Sequence, residues 1–273
     1  MCPISGDRRM SISEFIGYGG YSRPAEGYLS WQHLLFVTIL NVIMVLCAVW
    51  LGRKYKDRDM KEKDRVLAVS ALLIDGVELV KIVLLCVRSQ DPMHWRYELP
   101  LFLCSIQLIT IPLAAFSKGR VKEATLDFVT IFGLLGAVLG TYLAGNNYAA
   151  YPVLSIDNVA SGITHCTSGF VSLYILFSGM VSMQKRNIPI TVGILGVTCV
   201  AAYLANVLVG GNYMFLMRGD GTPYDILYGL VGGHPVIYPL CVVGLFVIYI
   251  VGYHYLYHLI RNARAEKRVC VPA

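Results

Sequence analysis

The chain has 273 residues, of which 56% are hydrophobic and only 15% are charged, and its mean hydropathy is +0.60. Soluble domains carry roughly a quarter charged residues, so this composition excludes an ordinary soluble globule. The formal net charge of +6 is concentrated in short connections between apolar runs. Such a distribution is typical of membrane topology signals, so we expect no binding of nucleic acid.

Seven continuous apolar runs have the length that an α-helix needs to cross a hydrocarbon core of ~30 Å. Helices are expected because the backbone of an open strand would find no hydrogen-bond partner in lipid. The sequence therefore predicts an all-α, polytopic membrane bundle of seven transmembrane helices over residues 31–259, between an extracytoplasmic segment, 1–30, and a basic cytoplasmic tail, 260–273. The predicted spans are 31–52, 66–88, 98–116, 124–145, 162–184, 189–209 and 235–259.

The Lys and Arg residues are divided unequally between the two sides of these spans. Sixteen lie on one side and six on the other, with Lys81 inside the second span. Because positive charge is retained in the cytoplasm, we expect the N-terminus outside and the C-terminus cytoplasmic in a multi-pass protein of the cell membrane. The first thirty residues lack the pattern of a signal peptide. The eight cysteines form no C-x-x-C pair, so we expect no metal site and no cofactor.

The second predicted span carries three ionisable residues, Asp75, Glu78 and Lys81, in an otherwise apolar run. An unpaired charge near the bilayer centre costs about 2.5–3.5 kcal/mol on insertion scales, so these side chains should face protein or water. Glu78 is three residues from each of the other two, which allows an ion pair along the helix. The pair either fixes helix packing or lines a functional cavity.

The third predicted span begins YELPLFLCSIQLITIP, and Pro100 suits the first turn of a helix there. Cys104 and Gln107 are three residues apart and would share a helix face. A cysteine in such a run is either simple packing or a nucleophile, and a nucleophile needs a nearby base or cation. Two histidines are candidate bases: His165 in the fifth span, or His33 near the outer end of the first, and each is equally compatible with a structural role.

The predicted orientation also sets the depth of these side chains, at ~1.5 Å per helical residue. Cys104, His165, Glu78 and Lys81 all fall in the outer half of the membrane, with His33 shallower still. The long loop 210–234 would cap them through Asn212 and Tyr213. We therefore expect one polar pocket that opens outward. In the fourth span, Gly136 and Gly140 form a small-xxx-small surface, which predicts close packing against a neighbouring helix.

Five pieces of the sequence form a recognisable set: HLL at 33–35, Glu78, LPLFLCSI at 99–106, His165, and NYMFL at 212–216 followed by Pro223. Together they resemble the YwaF-like family of seven-helix integral membrane proteins, which is related to an animal ether-phospholipid acyltransferase. The resemblance covers nearly the whole chain. One departure is Phe102, which stands where the family commonly has a histidine before the LC pair.

The resemblance implies that Cys104 carries an acyl group and that the partners are membrane phospholipids. In this hypothesis His165 or His33 is the general base, and Gln107 or Asn212 stabilises the oxyanion. An alternative is a carrier or binder of a small solute or proton that uses the charged face of the second span. A receptor-like or scaffold protein without chemistry is a third possibility. The sequence indicates neither the acyl donor and acceptor nor the oligomeric state.

Overall fold

The computed structural model describes residues 12–18 and 20–269, with side chains up to residue 263. The predicted segments 1–30 and 260–273 therefore lie partly outside the described residues. Within those residues the chain is all-helical and contains no strand. The α-helices are α1 (Ile12–Ile16), α2 (Trp31–Tyr55), α3 (Met60–Ser89), α4 (Gln107–Phe116), α5 (Gly119–Tyr142), α6 (Gly145–Ala150), α7 (Ile156–Phe177), α8 (Ile188–Val209), α9 (Tyr224–Leu230) and α10 (Ile237–Val269).

Five helical stretches of the described chain are long and apolar enough to cross a membrane. They contain α2, α5 with α6, α7, α8 and α10, which correspond to five of the seven predicted spans. The helix α3 has 30 residues, but its three central charges keep it out of this set. Length and apolarity alone therefore support a polytopic bundle, but they do not establish the count of seven or the orientation.

The third predicted span, 98–116, is only partly helical. Its helix, α4, begins at Gln107 and has ten residues, whereas residues 98–106 form irregular turns. Pro100 therefore lies in the irregular segment and not in a first helical turn. Cys104 likewise precedes the helix, so the expected shared helix face with Gln107 is wrong. The fifth predicted span also differs, since α7 ends at Phe177 and its residues to 184 are a connection.

The centre of the bundle is the close pair of helices α5 and α7, which α2, α3 and α4 surround on one side. Glycines allow this approach: a Cβ at Gly133 would collide with the backbone of Ser168, and one at Gly169 would collide with Ala137. Ser172 donates a hydrogen bond of 2.8 Å to the Thr130 carbonyl across the same contact. The helices α8 and α10 pack on the other side of α5 with the Tyr213–Phe215 turn.

An ion pair joins the end of α3 to the beginning of α7. The two terminal guanidinium nitrogens of Arg88, Nη1 and Nη2, each donate to the Asp157 carboxylate at 2.8 Å. Tyr21, from the segment before α2, donates to the same carboxylate at 2.5 Å. Burial and the hydrogen bond to Asp157 raise the pKa of Tyr21 to about 12, so its hydroxyl keeps the proton that it donates. This cluster fixes the position of α3 beside α7.

We expect Asp157→Asn to destabilise the protein by about 2 kcal/mol, since it removes a charge-assisted bidentate pair that is largely shielded from solvent. In a chain of this size, such a loss lowers the melting temperature by roughly 4–8 °C. The change in melting temperature is measured by thermal unfolding of the detergent-solubilised protein. Asp91→Asn is the matched control, because Asp91 pairs with Arg96 at 3.7 Å on the surface. Equal melting temperatures for the two variants would contradict the proposed anchoring.

Candidate functional site

A cavity of about 310 Å³ lies between α3, α7 and the irregular segment that precedes α4. Its volume is at the lower end of the range for pockets that hold small ligands. Its wall is partly polar and partly apolar, and the apolar part comes from Ile74, Leu99, Phe102 and Leu108. The chemically active side chains on its wall are Glu78, Lys81, Glu98, Cys104 and His165.

The charges of the cavity form one connected group around Lys81. Its Nζ atom lies 2.6 Å from Oε1 of Glu78 and 3.2 Å from Oε2 of Glu98. All three side chains are largely shielded, with at most 26% of their surface exposed. The Glu78 partner was predicted from helical spacing. Glu98 was not, because it comes from the turn after the short helix His94–Tyr97. Asp75 does not line the cavity.

Cys104 lies in the turn that leads into the first residues of α4, and it is partly exposed to the cavity. Ser105 stabilises this turn by accepting a hydrogen bond of 3.0 Å from the N–H of Phe102. Among the described residues, no carbonyl accepts from the N–H groups of Leu103, Cys104 or Ser105. The N–H groups of Cys104 and Ser105 lie near enough to the sulfur of Cys104 to interact with it electrostatically. This geometry is a donor pair beside a thiol at a helix N-terminus.

His165 is held against α5, at the two glycines that the sequence identified. A Cβ at Gly140 would collide with three atoms of the imidazole ring. The carbonyl of Gly136 is close enough to the same ring to interact with it electrostatically. A neutral imidazole has one donor and one acceptor nitrogen, so His165 can accept a proton from a group in the cavity. The predicted close packing against a neighbouring helix is found at Gly140, whose partner is His165 of α7, whereas a Cβ at Gly136 would make only an ordinary contact with Cys104.

Cys104 and His165 contact adjacent turns of the same helix. The Cβ of Cys104 would lie 3.5 Å from a Cβ placed on Gly136, whereas His165 packs on Gly140. Four residues of helix correspond to about 6 Å along the axis, so the two side chains are near neighbours on one surface of α5. The Lys81 ammonium is also close enough to interact electrostatically with both. A thiol, an imidazole and an ammonium therefore share this cavity.

The loop after α8 packs against the irregular segment and holds it in place through Tyr213. The hydroxyl of Tyr213 donates to the Arg96 carbonyl at 3.0 Å and accepts from the Leu99 N–H at 3.2 Å. Burial raises the pKa of Tyr213 above its ordinary value. The Tyr213 ring also lies 5.1 Å from the ring of Phe102. Asn206 holds the backbone of Tyr213 through two hydrogen bonds, of 2.6 and 3.1 Å.

Other predicted site residues lie away from the cavity. His33 is fully buried; its Nδ1 accepts from the Leu29 N–H and its Nε2 donates to the Thr141 carbonyl. Both nitrogens are hydrogen-bonded to the backbone, and His33 does not line the cavity, so its role here is structural. Gln107 is buried inside the bundle and accepts a hydrogen bond from Thr110. Asn212 closes its own loop by bonding to Arg218 and Asp220.

Ser168 and Ser172 follow His165 on the same face of α7 but do not line the cavity. Ser168 and Ser172 are buried at the contact between α5 and α7. The residues of α7 that do line the cavity with His165 are Ser161 and Thr164, and Asn147 of α6 joins them. Sequence reasoning missed these polar groups, because nothing in the local pattern distinguishes them from surface residues. No group of three or more His, Cys, Asp or Glu side chains among the described residues could hold a metal ion.

We expect Gly140→Ala and Gly136→Ala to differ sharply, although they are the same substitution on the same helix face. A methyl group at Gly140 overlaps the His165 ring, and such overpacking costs about 1–3 kcal/mol. At Gly136 the methyl makes only an ordinary contact, and alanine favours a helix by roughly 0.5–1 kcal/mol relative to glycine. Melting temperatures should therefore fall for Gly140→Ala and stay equal or rise for Gly136→Ala. Equal behaviour would mean that His165 is not packed on Gly140.

Comparison with known families supports a membrane protein of this architecture. Residues 28–258 match the model of the TMEM164 family, and this range includes all of α2 to α9 and most of α10. No curated protein and no solved structure matches the chain. The match covers most of the sequence, and five stretches of the described residues have the length and apolarity of membrane spans. The chain therefore belongs to the TMEM164 family and is a multi-pass integral membrane protein.

Proposed function

We propose that this protein is a membrane phospholipid acyltransferase in which Cys104 is the nucleophile and His165 is the general base. The observation that carries the proposal is the meeting of Cys104, His165 and Lys81 in one cavity of a membrane protein. A cysteine nucleophile requires a base within reach and donors for the developing oxyanion. The resemblance to the YwaF-like family and its animal acyltransferase relative points to the same cysteine.

Attack begins with a proton transfer. The acceptor nitrogen of His165 takes the proton of the Cys104 thiol as the sulfur attacks the ester carbonyl of a phospholipid. A carbon–sulfur bond forms, and the oxyanion takes hydrogen bonds from the N–H groups of Cys104 and Ser105. These backbone donors replace Gln107 and Asn212, the side chains that the sequence suggested for this role. The ester carbon–oxygen bond then breaks, and the leaving lysophospholipid oxygen receives the proton from His165.

The second half of the cycle returns the acyl group to another lipid. A lysophospholipid hydroxyl attacks the thioester carbonyl while His165 removes its proton. The new ester bond forms, the carbon–sulfur bond breaks, and the sulfur of Cys104 recovers a proton from the imidazolium. The exchange is balanced without an added cofactor. Lys81 would stabilise the negative charge that appears near the sulfur in both steps.

The same proposal includes seven membrane crossings with the N-terminus outside and the C-terminus cytoplasmic. In addition to the five long apolar stretches, α3 is the second crossing in the chain, and its 30 residues extend about 45 Å. The third crossing is the segment 98–116, half irregular and half helical. Irregular backbone at membrane depth is tolerated where it lines a cavity enclosed by protein, and residues 98–106 lie in that position. The unequal distribution of Lys and Arg supports the orientation.

In the proposed reaction, Cys104→Ala removes acyl exchange entirely, and His165→Ala lowers the rate by roughly 10²–10⁴-fold, as loss of a general base does. The assay uses purified protein in vesicles with radiolabelled phosphatidylcholine as donor and lysophosphatidylethanolamine as acceptor. Mass spectrometry should find an acyl group on Cys104 that neutral hydroxylamine releases. Cys241→Ala is the control, because Cys241 lies on α10 and does not line the cavity. Full activity in both Cys104→Ala and His165→Ala would exclude the mechanism.

The charged group around Lys81 favours one competing function, a carrier or binder of a small solute or proton. Two carboxylates and one ammonium in a cavity can relay protons across a membrane protein. In that case Glu78→Gln removes solute uptake or proton coupling in vesicles, whereas Cys104→Ala has no effect. An acyltransferase instead loses its activity in Cys104→Ala, so these two variants distinguish the two functions.

A further inference from the structure

A second cavity, of about 170 Å³, lies at the turn that joins α2 to α3. Lys54 and Tyr55 line it from the end of α2, Arg58 from the turn itself, and Glu62 and Arg65 from α3. Three cations and one carboxylate give this lining a net charge of +2. The sequence explains these cations as topology signals, but a topology signal does not require them to converge on one cavity.

The acidic side chains of this region do little to neutralise the cavity. Asp59 caps α3 by accepting a hydrogen bond of 2.7 Å from the N–H of Glu62. Asp64 is directed toward α5, where it pairs with Lys122 at 2.5 Å. Glu62 pairs with Arg58 at 3.7 Å, and both side chains are substantially exposed, so this interaction is weak. Among the described residues, no carboxylate pairs with Lys54 or Arg65.

Buried contacts hold the turn between α2 and α3 in place. The buried Lys63 donates a hydrogen bond of 2.8 Å from Nζ to the Lys56 carbonyl at the end of α2. One turn earlier, Gly52 packs so closely on Phe177 of α7 that a Cβ there would collide with it. The backbone beneath the cations therefore has a fixed geometry. A ligand would not have to order this backbone before it could bind.

Apolar stripes run from the cavity along both helices. On α2, Leu46 and Trp50 precede Lys54 at steps of four, and the Lys54 ammonium lies 5.2 Å from the centre of the Trp50 ring. On α3, Val69 and Leu72 follow Arg65 on the same helix face. These four apolar side chains are each more than 60% exposed. A basic cavity is thus continuous with two exposed apolar stripes, an arrangement that matches the headgroup and acyl chains of a lipid.

We propose that this cavity binds the headgroup of an anionic phospholipid, whose acyl chains lie along the stripes of α2 and α3. Arg58 and Arg65 bind the phosphate, since guanidinium groups form paired hydrogen bonds with its oxygens. Basic pockets between membrane helices are known to bind anionic headgroups in this way. The site is separate from the Cys104 cavity: Arg65 and Lys81 are sixteen residues apart on α3, or about 24 Å. The proposal therefore does not depend on acyl transfer.

The test compares two variants that remove the same charge from the same connection. Arg58→Gln/Arg65→Gln alters the cavity, whereas Arg53→Gln/Lys61→Gln removes two exposed cations that do not line it. The melting temperature of the detergent-solubilised protein is measured as phosphatidylglycerol is added. We expect wild type and the control variant to be stabilised with the same apparent affinity, and the cavity variant to bind at least tenfold more weakly. Native mass spectrometry counts the phosphatidylglycerol molecules retained by each.

Phosphatidylcholine and inorganic phosphate distinguish the sources of the effect. If the site binds an anionic lipid, neither phosphatidylcholine nor inorganic phosphate should raise the melting temperature of the protein by more than a small amount. Equal stabilisation by inorganic phosphate would overturn the assignment to a lipid in favour of a free anion. An equal loss of phosphatidylglycerol affinity in both double variants would overturn the site itself, because it would mean that positive charge anywhere in the connection is enough for binding. If the cavity variant unfolds before lipid is added, the single variants Arg58→Gln and Arg65→Gln are compared in the same way.

Discussion

Backbone N–H and C=O groups that lie among apolar helices must find hydrogen-bond partners within the protein. This constraint shapes the segment 98–106, which interrupts the helical bundle. Tyr213 satisfies the carbonyl of Arg96 and the N–H of Leu99, and Ser105 satisfies the N–H of Phe102. What remains is a short run of N–H groups beside the sulfur of Cys104. The irregular segment before α4 thus provides the backbone donors that the proposed acyl transfer requires.

Much of the fold can be predicted from the apolar runs, because burial in lipid leaves a long and continuous signal. The predicted span 189–209 differs by one residue from α8, and the first span begins with α2 at Trp31. The break at 98–106 could not be predicted in this way. Its residues, LPLFLCSI at 99–106, are as apolar as those of a helix, and one contact that holds them in an irregular conformation comes from Tyr213, more than a hundred residues away in sequence.

In the site, too, some contacts can be predicted from local sequence spacing, whereas others depend on distant parts of the chain. Glu78 and Lys81 could be paired from their spacing on one helix, but Glu98 reaches Lys81 only because the connection after α3 folds back. The sequence offers both His33 and His165 as bases. They differ in their tertiary partners: the nitrogens of His33 are both occupied, whereas His165 lies on the cavity wall. Only the packed structure separates a structural histidine from a candidate base.

The length of α3 connects the two proposed sites. The separation of about 24 Å between Arg65 and Lys81 is slightly less than a hydrocarbon core of ~30 Å. If Arg65 meets a headgroup at one membrane surface, Lys81 must therefore lie within the opposite leaflet, close to its surface. That is the depth at which a phospholipid presents its ester bonds, and it is where the acyl-transfer proposal needs the ester carbonyl to meet Cys104. Lipid bound at one end of α3 would thus fix the depth of the cavity at the other.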